Sequence, residues 1–298
     1  MAPRGRPKGS GSNRGETGGA VQSLDRALRL VAAIAESDGA TLTAIAERVG
    51  LPPSTAHRLL ATLATHGFVE TNDDDRTWAI GVEAFRVGQA FQRRSKPAAA
   101  ARPVMRDLME ETGETANIGL FEGGDVVFIE QVESREPIRA FFRSGERRAA
   151  HASGIGKALL AAQAPDRVAR WLRGRRLEAF TPATITDPAR LLAALDEIRA
   201  RGFALDDEER NLGMRCIAAA IYDEAGEAVA GLSISGPCQR IDAARLEALG
   251  PVVAAAAARV TRAIGGVVPR AAIDLPQRHA PSGLGEFLAI DRIECSDG

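Results

Sequence analysis

The stretch Thr41–Glu70 reads TLTAIAERVGLPPSTAHRLLATLATHGFVE, and its spacing decides how the front of the chain folds. Leu42, Ile45, Ala46 and Val49 recur at helical spacing and give a first short helix one apolar stripe. Gly50 supplies a backbone able to adopt positive φ, and Leu51 plugs the corner. Pro52 and Pro53 cannot continue that helix but suit the start of another, whose free N–H groups Ser54 or Thr55 is expected to cap. In this second helix Ala56, Leu59, Leu60 and Leu63 form the inward stripe, leaving Ser54, Thr55, His57, Arg58 and Thr62 outside.

Short hydroxyls, an imidazole and a guanidinium are side chains that reach base edges and phosphates. Gly67 ends the helix, and Phe68-Val69-Glu70 followed by Trp78-Ala79-Ile80 reads as a hairpin around Asn72–Arg76. Helix, turn, helix and hairpin in this order predict a winged helix-turn-helix bound to double-stranded DNA, its second helix in the major groove. An ordinary helical hairpin with a solvated polar face is the alternative. The hairpin tip, Asp73-Asp74-Asp75, is acidic where a wing contacting phosphate would prefer cations, so only Arg76 is assigned a DNA contact there.

The chain has 298 residues, enough for two domains of roughly 100–200 residues each. It is 45% hydrophobic and 26% charged, a globular composition. With a net charge of −1, any nucleic-acid contact must come from a local patch. Arg4, Arg6, Lys8 and Arg14, all before the first acid at Glu16, supply one. The apolar run near Val252–Ala258 is far short of the ~20 residues of a membrane span. No signal-type apolar stretch follows the basic start, and Cys216, Cys238 and Cys295 show no C-x-x-C spacing. The expectation is a cytoplasmic chain with reduced thiols and no membrane partner.

Composition and periodicity predict a disordered basic tail over 1–19, a winged helix-turn-helix over 20–81, a linker helix over 82–97, an effector domain over 98–264 and a loose tail over 265–298. Within the head, Val21–Ser37 should place Leu24, Ala27, Leu28, Val31 and Ile34 beneath the reading helices. The linker helix Val82–Arg94 should break at Pro97, and Pro103–Thr112 should open the second domain. Strands are expected over Ala116–Phe121, Val126–Val132, Ile138–Arg143, Phe203–Leu205, Cys216–Asp223 and Ala228–Ser235. Helices are expected over Ser153–Ala162, Val168–Leu172, Leu191–Ala200 and Ala243–Ile264. This order predicts an α+β fold with a mostly antiparallel sheet.

Three segments of the second domain carry chemistry. In His151-Ala-Ser-Gly-Ile-Gly-Lys-Ala-Leu-Leu a helix starts at two glycines, where free N–H groups favour an anion; a plain helix cap is the alternative. Ala158 after Lys157 and the single residue between Gly154 and Gly156 exclude a nucleotide-binding P-loop, so a small carboxylate fits better. The acidic loop Asp206-Asp-Glu-Glu-Arg-Asn-Leu-Gly-Met-Arg-Cys216 leads a thiol into a strand. In Gly231-Leu-Ser-Ile-Ser-Gly236 the period of two puts Ser233 and Ser235 on one face. That last segment is not a nucleophile elbow, and no histidine is placed as its base. No cofactor, metal or catalytic residue is expected. A small-acid hydrolase fused to a DNA anchor, and a DNA-binding oligomerisation scaffold without ligand, are the alternatives from other classes.

The winged head, the linker helix, HASGIGKALLA and DDEERNLGMRCIAAAI, in that order, resemble the IclR family of bacterial transcriptional regulators over about Val21–Ile264. The resemblance implies a ligand-responsive regulator, commonly a repressor, with a GAF-like effector domain. It also implies dimers made through the DNA-binding domains and tetramers made through the effector domains, hence a homodimer or homotetramer on a pseudo-palindromic operator. Members sensing glyoxylate and similar oxo-acids are the most similar. By that resemblance the ligand carboxylate lies on the backbone of Gly154 and Ile155, Asp206, Cys216, Ser233 and Ser235 complete the pocket, and Met214 forms an apolar wall. Separately, Arg4-Gly-Arg-Pro-Lys8 resembles an AT-hook core, with Arg4 and Arg6 placed for a narrow minor groove. A nonspecific basic tail remains the alternative there.

Overall fold

The computed structural model describes residues 21–37, 39–72, 74 and 76–269. The chain divides into two compact units between Arg94 and Ser95. Arg4 and Arg6, with the rest of the basic tail, lie outside the described residues, as do Asp73 and Asp75 of the hairpin tip.

The first unit runs α1 (Gln22–Ala35), β1 (Ala40–Thr41), α2 (Leu42–Val49), α3 (Pro53–Thr65), β2 (Val69–Asn72), β3 (Thr77–Ile80) and α4 (Val82–Arg94). Thr41 caps α2 by accepting the Ala44 N–H at 3.4 Å. Gly50 closes it in the left-handed region at φ 70°, where a side chain would be strained. The N–H groups of Thr55 and Ala56 both reach the Pro52 carbonyl, at 2.9 and 3.0 Å. Pro52 is therefore the N-cap residue of α3, and the expected capping by Ser54 or Thr55 does not occur. Both residues sit inside the first turn, because Pro53 already has the φ that a helix start needs. Strands β1, β3 and β2 form an antiparallel sheet, with Ala40 opposite Trp78 and Thr71 opposite Trp78 on the other side. Strand β1 is too short to show a period in the sequence.

Leu30, Ile34, Ile45, Val49, Ala56, Leu60, Val69 and Trp78 make the core of this unit. Leu24 and Leu28 were expected in it, yet they are 57% and 60% exposed. Helix α1 carries two apolar stripes, and the stripe that includes Leu30, Ala33 and Ile34 is the one it buries. Val21, Leu24 and Leu28 are left open on the other.

The second unit runs α5 (Lys96–Thr112), β4 (Thr115–Glu122), β5 (Asp125–Val132), β6 (Arg147–Ala149), a 3-10 turn (Ala150–Ala152), α6 (Gly154–Ala161), α7 (Pro165–Leu172), α8 (Pro188–Arg201), β7 (Ala204–Asp207), β8 (Met214–Tyr222), β9 (Ala228–Pro237) and α9 (Ala243–Ala263). Helix α4 ends at Arg94 as expected, and α5 begins at Lys96 rather than at the expected Pro103, because Pro97 is tolerated in its first turn and Pro103 lies inside it. The expected strand Ile138–Arg143 is irregular chain. Pro137 precedes it, and the Phe142 N–H is taken by the Gln131 side chain at 3.0 Å rather than by a ladder. The strand that pairs with β5 comes later, as β6.

The sheet order is β6-β5-β4-β9-β8-β7, with antiparallel neighbours throughout. Alternation sorts its two faces. Ile118, Ile217, Ala219, Leu232 and Ile234 pack with Met105 and Leu108 of α5 and Val253 and Val260 of α9. Phe128 and Ala218 pack on the other face with Ile155, Leu159, Leu191 and Leu195 of α6 and α8. Beyond α9 the Val267 N–H donates to the Asp223 carbonyl at 3.0 Å, so the start of the expected loose tail is fixed to the β8–β9 turn.

Leu60 is fully buried in the head. Leu60→Ala should cost about 2–5 kcal/mol, the range for emptying a packed leucine site. Hydrogen exchange of head amides should show that loss, while amides of the second unit keep their protection.

Candidate DNA-reading surface and effector pocket

Helix α3 presents two polar stripes. Ser54, His57 and Arg58 are exposed, Thr62 is exposed and Thr55 half-buried. The His57 ring meets the edge of Trp78 at 6.4 Å, so one stripe leads toward the hairpin. Thr55, Arg58 and Thr62 line a recess of about 240 Å³ together with Ser23 and Arg26 of α1. The sequence reading missed Arg26, whose place beside α3 depends on how α1 packs. Thr62 donates to the Arg58 carbonyl at 3.0 Å, leaving its oxygen lone pairs as acceptors. Arg58 has no ion-pair partner among the described residues. Arg76 sits exposed at the hairpin in the left-handed region, at φ 54°.

In the second unit, strand register assembles the other predicted residues. Asp206 is opposite Cys216, Cys216 opposite Ser235, and Ser235 opposite Thr115, so they form one row across β7, β8, β9 and β4. Two residues along lies the row Ala218, Ser233 and Asn117, on the same face. Over the first row stands the N-terminus of α6. A Cβ on Gly154 would lie 2.8 Å from Cys216 Sγ and 3.3 Å from the Ala218 Cβ, so glycine alone permits this approach. Ser153 caps the helix through the Gly156 N–H at 3.4 Å. The first N–H groups, those of Gly154 and Ile155, have no carbonyl within the helix to bond. The Ile155 side chain packs instead against Gly231 and Gly119, so only its backbone is available to a ligand.

Asp206, Met214, Cys216 and Ser235 line a narrow cavity of about 30 Å³ with Phe142, Arg148 and Arg210. Ser233 is fully buried beside it, and neither its Oγ nor the Asn117 Oδ1 finds a hydrogen-bond partner among the described residues. Asn117 donates weakly to Ser235 Oγ at 3.5 Å. Arg148 lies 4.4 Å over the Phe142 ring and bonds Glu146 at 2.8 Å. Arg210 lies 3.7 Å over Phe180. Burial, and then the charge of Arg148, lower its pKa, so two guanidinium groups repel each other near the pocket. Phe142, Arg148, Arg210 and Asn117 were not anticipated; they come from loops and from a strand pairing that the sequence pattern does not specify.

Burial raises the pKa of Asp206 and outweighs the opposing pull of Lys157. The next carboxyl along, Glu209, is pushed to about 7, again chiefly by burial and against Lys157. The Lys157 ammonium ion-pairs with Glu209 inside the protein, and the Glu209 N–H donates to Asp206 at 2.9 Å. The Cys216 thiol is pushed up to about 11 by burial, so it is a neutral weak donor, not a thiolate. His151 donates its Nε2–H to the Glu178 carbonyl, 2.9 Å away, and stacks on Phe180. Among the described residues no group of three or more His, Cys, Asp or Glu side chains could hold a metal. No helix there is long and apolar enough to cross a membrane.

Comparison with known proteins agrees with this two-part arrangement. The IclR helix-turn-helix domain model matches residues 23–73, and the model for the C-terminal part of bacterial IclR regulators matches 93–262. The HTH-type transcriptional regulator BhcR of Paracoccus denitrificans is 53% identical over 268 residues, 90% of this chain and 95% of that protein. The transcriptional repressor IclR of Escherichia coli K12 is 43% identical over 252 residues, 84% and 92% of the two chains. An IclR homologue of Microbacterium hydrocarbonoxydans, solved in complex with 4-hydroxybenzoate, superposes with a TM-score of 0.71 at 25% identity, over 82% of this chain and 99% of that one. With a winged DNA-reading head and a matching C-terminal domain in one polypeptide, this chain belongs to the IclR family of DNA-binding transcriptional regulators.

Proposed function

We propose that this regulator is a repressor whose grip on its operator changes when a small carboxylate of two or three carbons, of the glyoxylate type, enters the Asp206–Cys216–Ser235 pocket. The observation that carries the reading is the polar row beneath the α6 N-terminus, next to the fully buried hydroxyl of Ser233, which faces the Cys216 thiol. Helix N–H groups and two nearby guanidinium groups favour a carboxylate. Ser233, Ser235, the neutral thiol and Asp206, whose carboxyl burial shifts toward its protonated form, would serve the remaining ligand oxygens. At about 30 Å³ the cavity is near the size of two or three waters, since one water needs roughly 10–15 Å³ on this measure. That favours a ligand of few atoms over an aromatic acid such as the one bound by the Microbacterium homologue.

For such a ligand to alter DNA binding, it must have different affinities for the two states of the regulator. Two copies reading a pseudo-palindromic operator would require a dimer. The open stripes Val21, Leu24 and Leu28 on α1 and Phe85 and Phe91 on α4 suit a contact between copies. On this reading Ser54, Thr55, His57, Arg58, Thr62 and Arg76 face DNA. The regulator would work in the cytoplasm.

Each hydrogen bond from the pocket is worth about 0.5–1.5 kcal/mol, so Cys216→Ala with Ser235→Ala should weaken glyoxylate by about 10- to 100-fold in calorimetry. Unchanged affinity would remove the pocket assignment. Arg58→Ala should reduce operator affinity by about 10- to 100-fold, corresponding to about 1–3 kcal/mol for a good base contact, and leave glyoxylate binding intact. Retained operator affinity would displace Arg58 from the interface.

The raised carboxyls give a pH test. Glu209 holds a proton in the folded protein below about 7 and loses it as pH rises through that value, adding negative charge near the ligand. Glyoxylate should therefore bind more tightly at about pH 6 than at about pH 8, with the slope set by the proton difference. Glu209→Gln should flatten that dependence, and a profile identical to the parent's would contradict the assignment.

A further inference from the structure

Two guanidinium groups share the cavity of Asp206, Cys216 and Ser235, and each is held flat against an aromatic ring. Arg148 lies opposite Val126 in the β5–β6 register, and Val126 packs with Ile155, so Arg148 projects from the pocket face of the sheet. Its guanidinium lies 4.4 Å over Phe142, which is itself stacked on Phe128 at 4.6 Å. Arg210 lies 3.7 Å over Phe180, and Phe180 stacks in turn on His151 at 5.9 Å. A ring against the flat face fixes a guanidinium and leaves its N–H edges, the part that grips a carboxylate.

Those edges are only partly used. Arg148 donates its Nε–H to Glu146 at 2.8 Å, and Glu146 also accepts the Arg143 N–H at 3.2 Å. Turned so that its amide nitrogen meets the Arg210 carbonyl at 3.1 Å, Asn211 accepts from Arg148 Nη1 at 3.2 Å. That leaves Nη2 of Arg148, and the whole fork of Arg210 makes no ion pair or hydrogen bond among the described residues. Glu178 attracts Arg210 without bonding it, while the charge of Arg148 opposes it. Like charges held together in this way are unfavourable until an anion comes between them. The pocket supplies none, because Asp206 is shifted toward its neutral form and Glu209 is taken by Lys157.

We infer that Arg148 and Arg210 hold a second carboxylate, so the effector is a short dicarboxylic oxo- or hydroxy-acid of which glyoxylate matches one end. This rests on the pocket reading above. One carboxylate takes the α6 N–H groups, and the oxo or hydroxyl oxygen lies among Cys216, Ser233 and Ser235. The other carboxylate takes Nη2 of Arg148 and the fork of Arg210. Asp206 and Ser235 are buried whereas Arg210 is partly exposed, so this second acid group lies on the solvent side of the small cavity.

Ketomalonate tests the inference, because it is glyoxylate with the aldehyde hydrogen replaced by a second carboxylate. Calorimetry on the full chain should show ketomalonate binding about 10- to 100-fold more tightly than glyoxylate, the range for added hydrogen bonds to a charged group. Arg210→Gln should remove that advantage and change glyoxylate affinity far less, and Arg210→Lys should restore part of it. Arg175→Gln, at an exposed cation outside the cavity, should keep the advantage in full. Equal affinities for the two acids in the parent overturn the inference and leave the pocket reading standing. So does an advantage that survives in Arg210→Gln, or one lost equally in Arg175→Gln, which would mark general attraction of a dianion. If neither acid binds, the inference and the pocket reading fall together.

Discussion

The close approach of α6 to the sheet is the constraint on which the second unit depends. Gly154 lies where any side chain would strike Cys216 and Ala218, and Ile155 fills the space left by Gly231. A Cβ at Gly156 would likewise run into Ala150. These missing side chains let a helix N-terminus come down onto a sheet at backbone distance, so partial positive charge meets a row of carboxyl, thiol and hydroxyl groups. Without that approach the row Asp206–Cys216–Ser235 would be a polar stripe under an ordinary hydrophobic helix.

The electrostatics follow from the same burial. Asp206 and Glu209 are nearly excluded from solvent, and both have raised pKa values because a charged carboxylate is costly there. Lys157, one turn into α6, pairs with Glu209 and links the acidic loop to the helix. A ligand that changes the charge or position of Asp206 is therefore connected through Glu209 to α6 itself. Buried ion pairs add little net stability, but breaking one partner is costly. A coupling of about 1–3 kcal/mol, typical of allosteric proteins, needs only a modest change in such a network.

Much of the head was legible because its signals are local. Gly50 at the turn, Pro52 and Pro53 at the start of α3 and the apolar spacing of Ala56 and Leu60 each act within a few residues. The faces of α1 were not legible, since both of its apolar stripes fit a helix and only packing chooses Leu30 and Ile34 over Leu24 and Leu28. In the second unit, the period of two placed Ser233 and Ser235 on one face, and the family resemblance supplied Asp206 and Cys216. Arg148, Arg210 and Asn117 were not anticipated, because their positions depend on loop paths and on the pairing of β4 with β9. The false strand at Ile138–Arg143 has the same origin. The segment is rich in apolar and aromatic residues, but a side-chain acceptor from Gln131 took the backbone donor that a ladder would need.

The central claim is that DNA reading and small-acid binding are energetically tied, and reciprocity tests it most directly. Glyoxylate affinity should be measured with the regulator free and with it saturated by operator DNA, and operator affinity with and without saturating glyoxylate. Linkage requires the two ratios to be equal, and the account predicts that both differ from one, by about 5- to 150-fold. A glyoxylate affinity that is the same on and off the operator would contradict it.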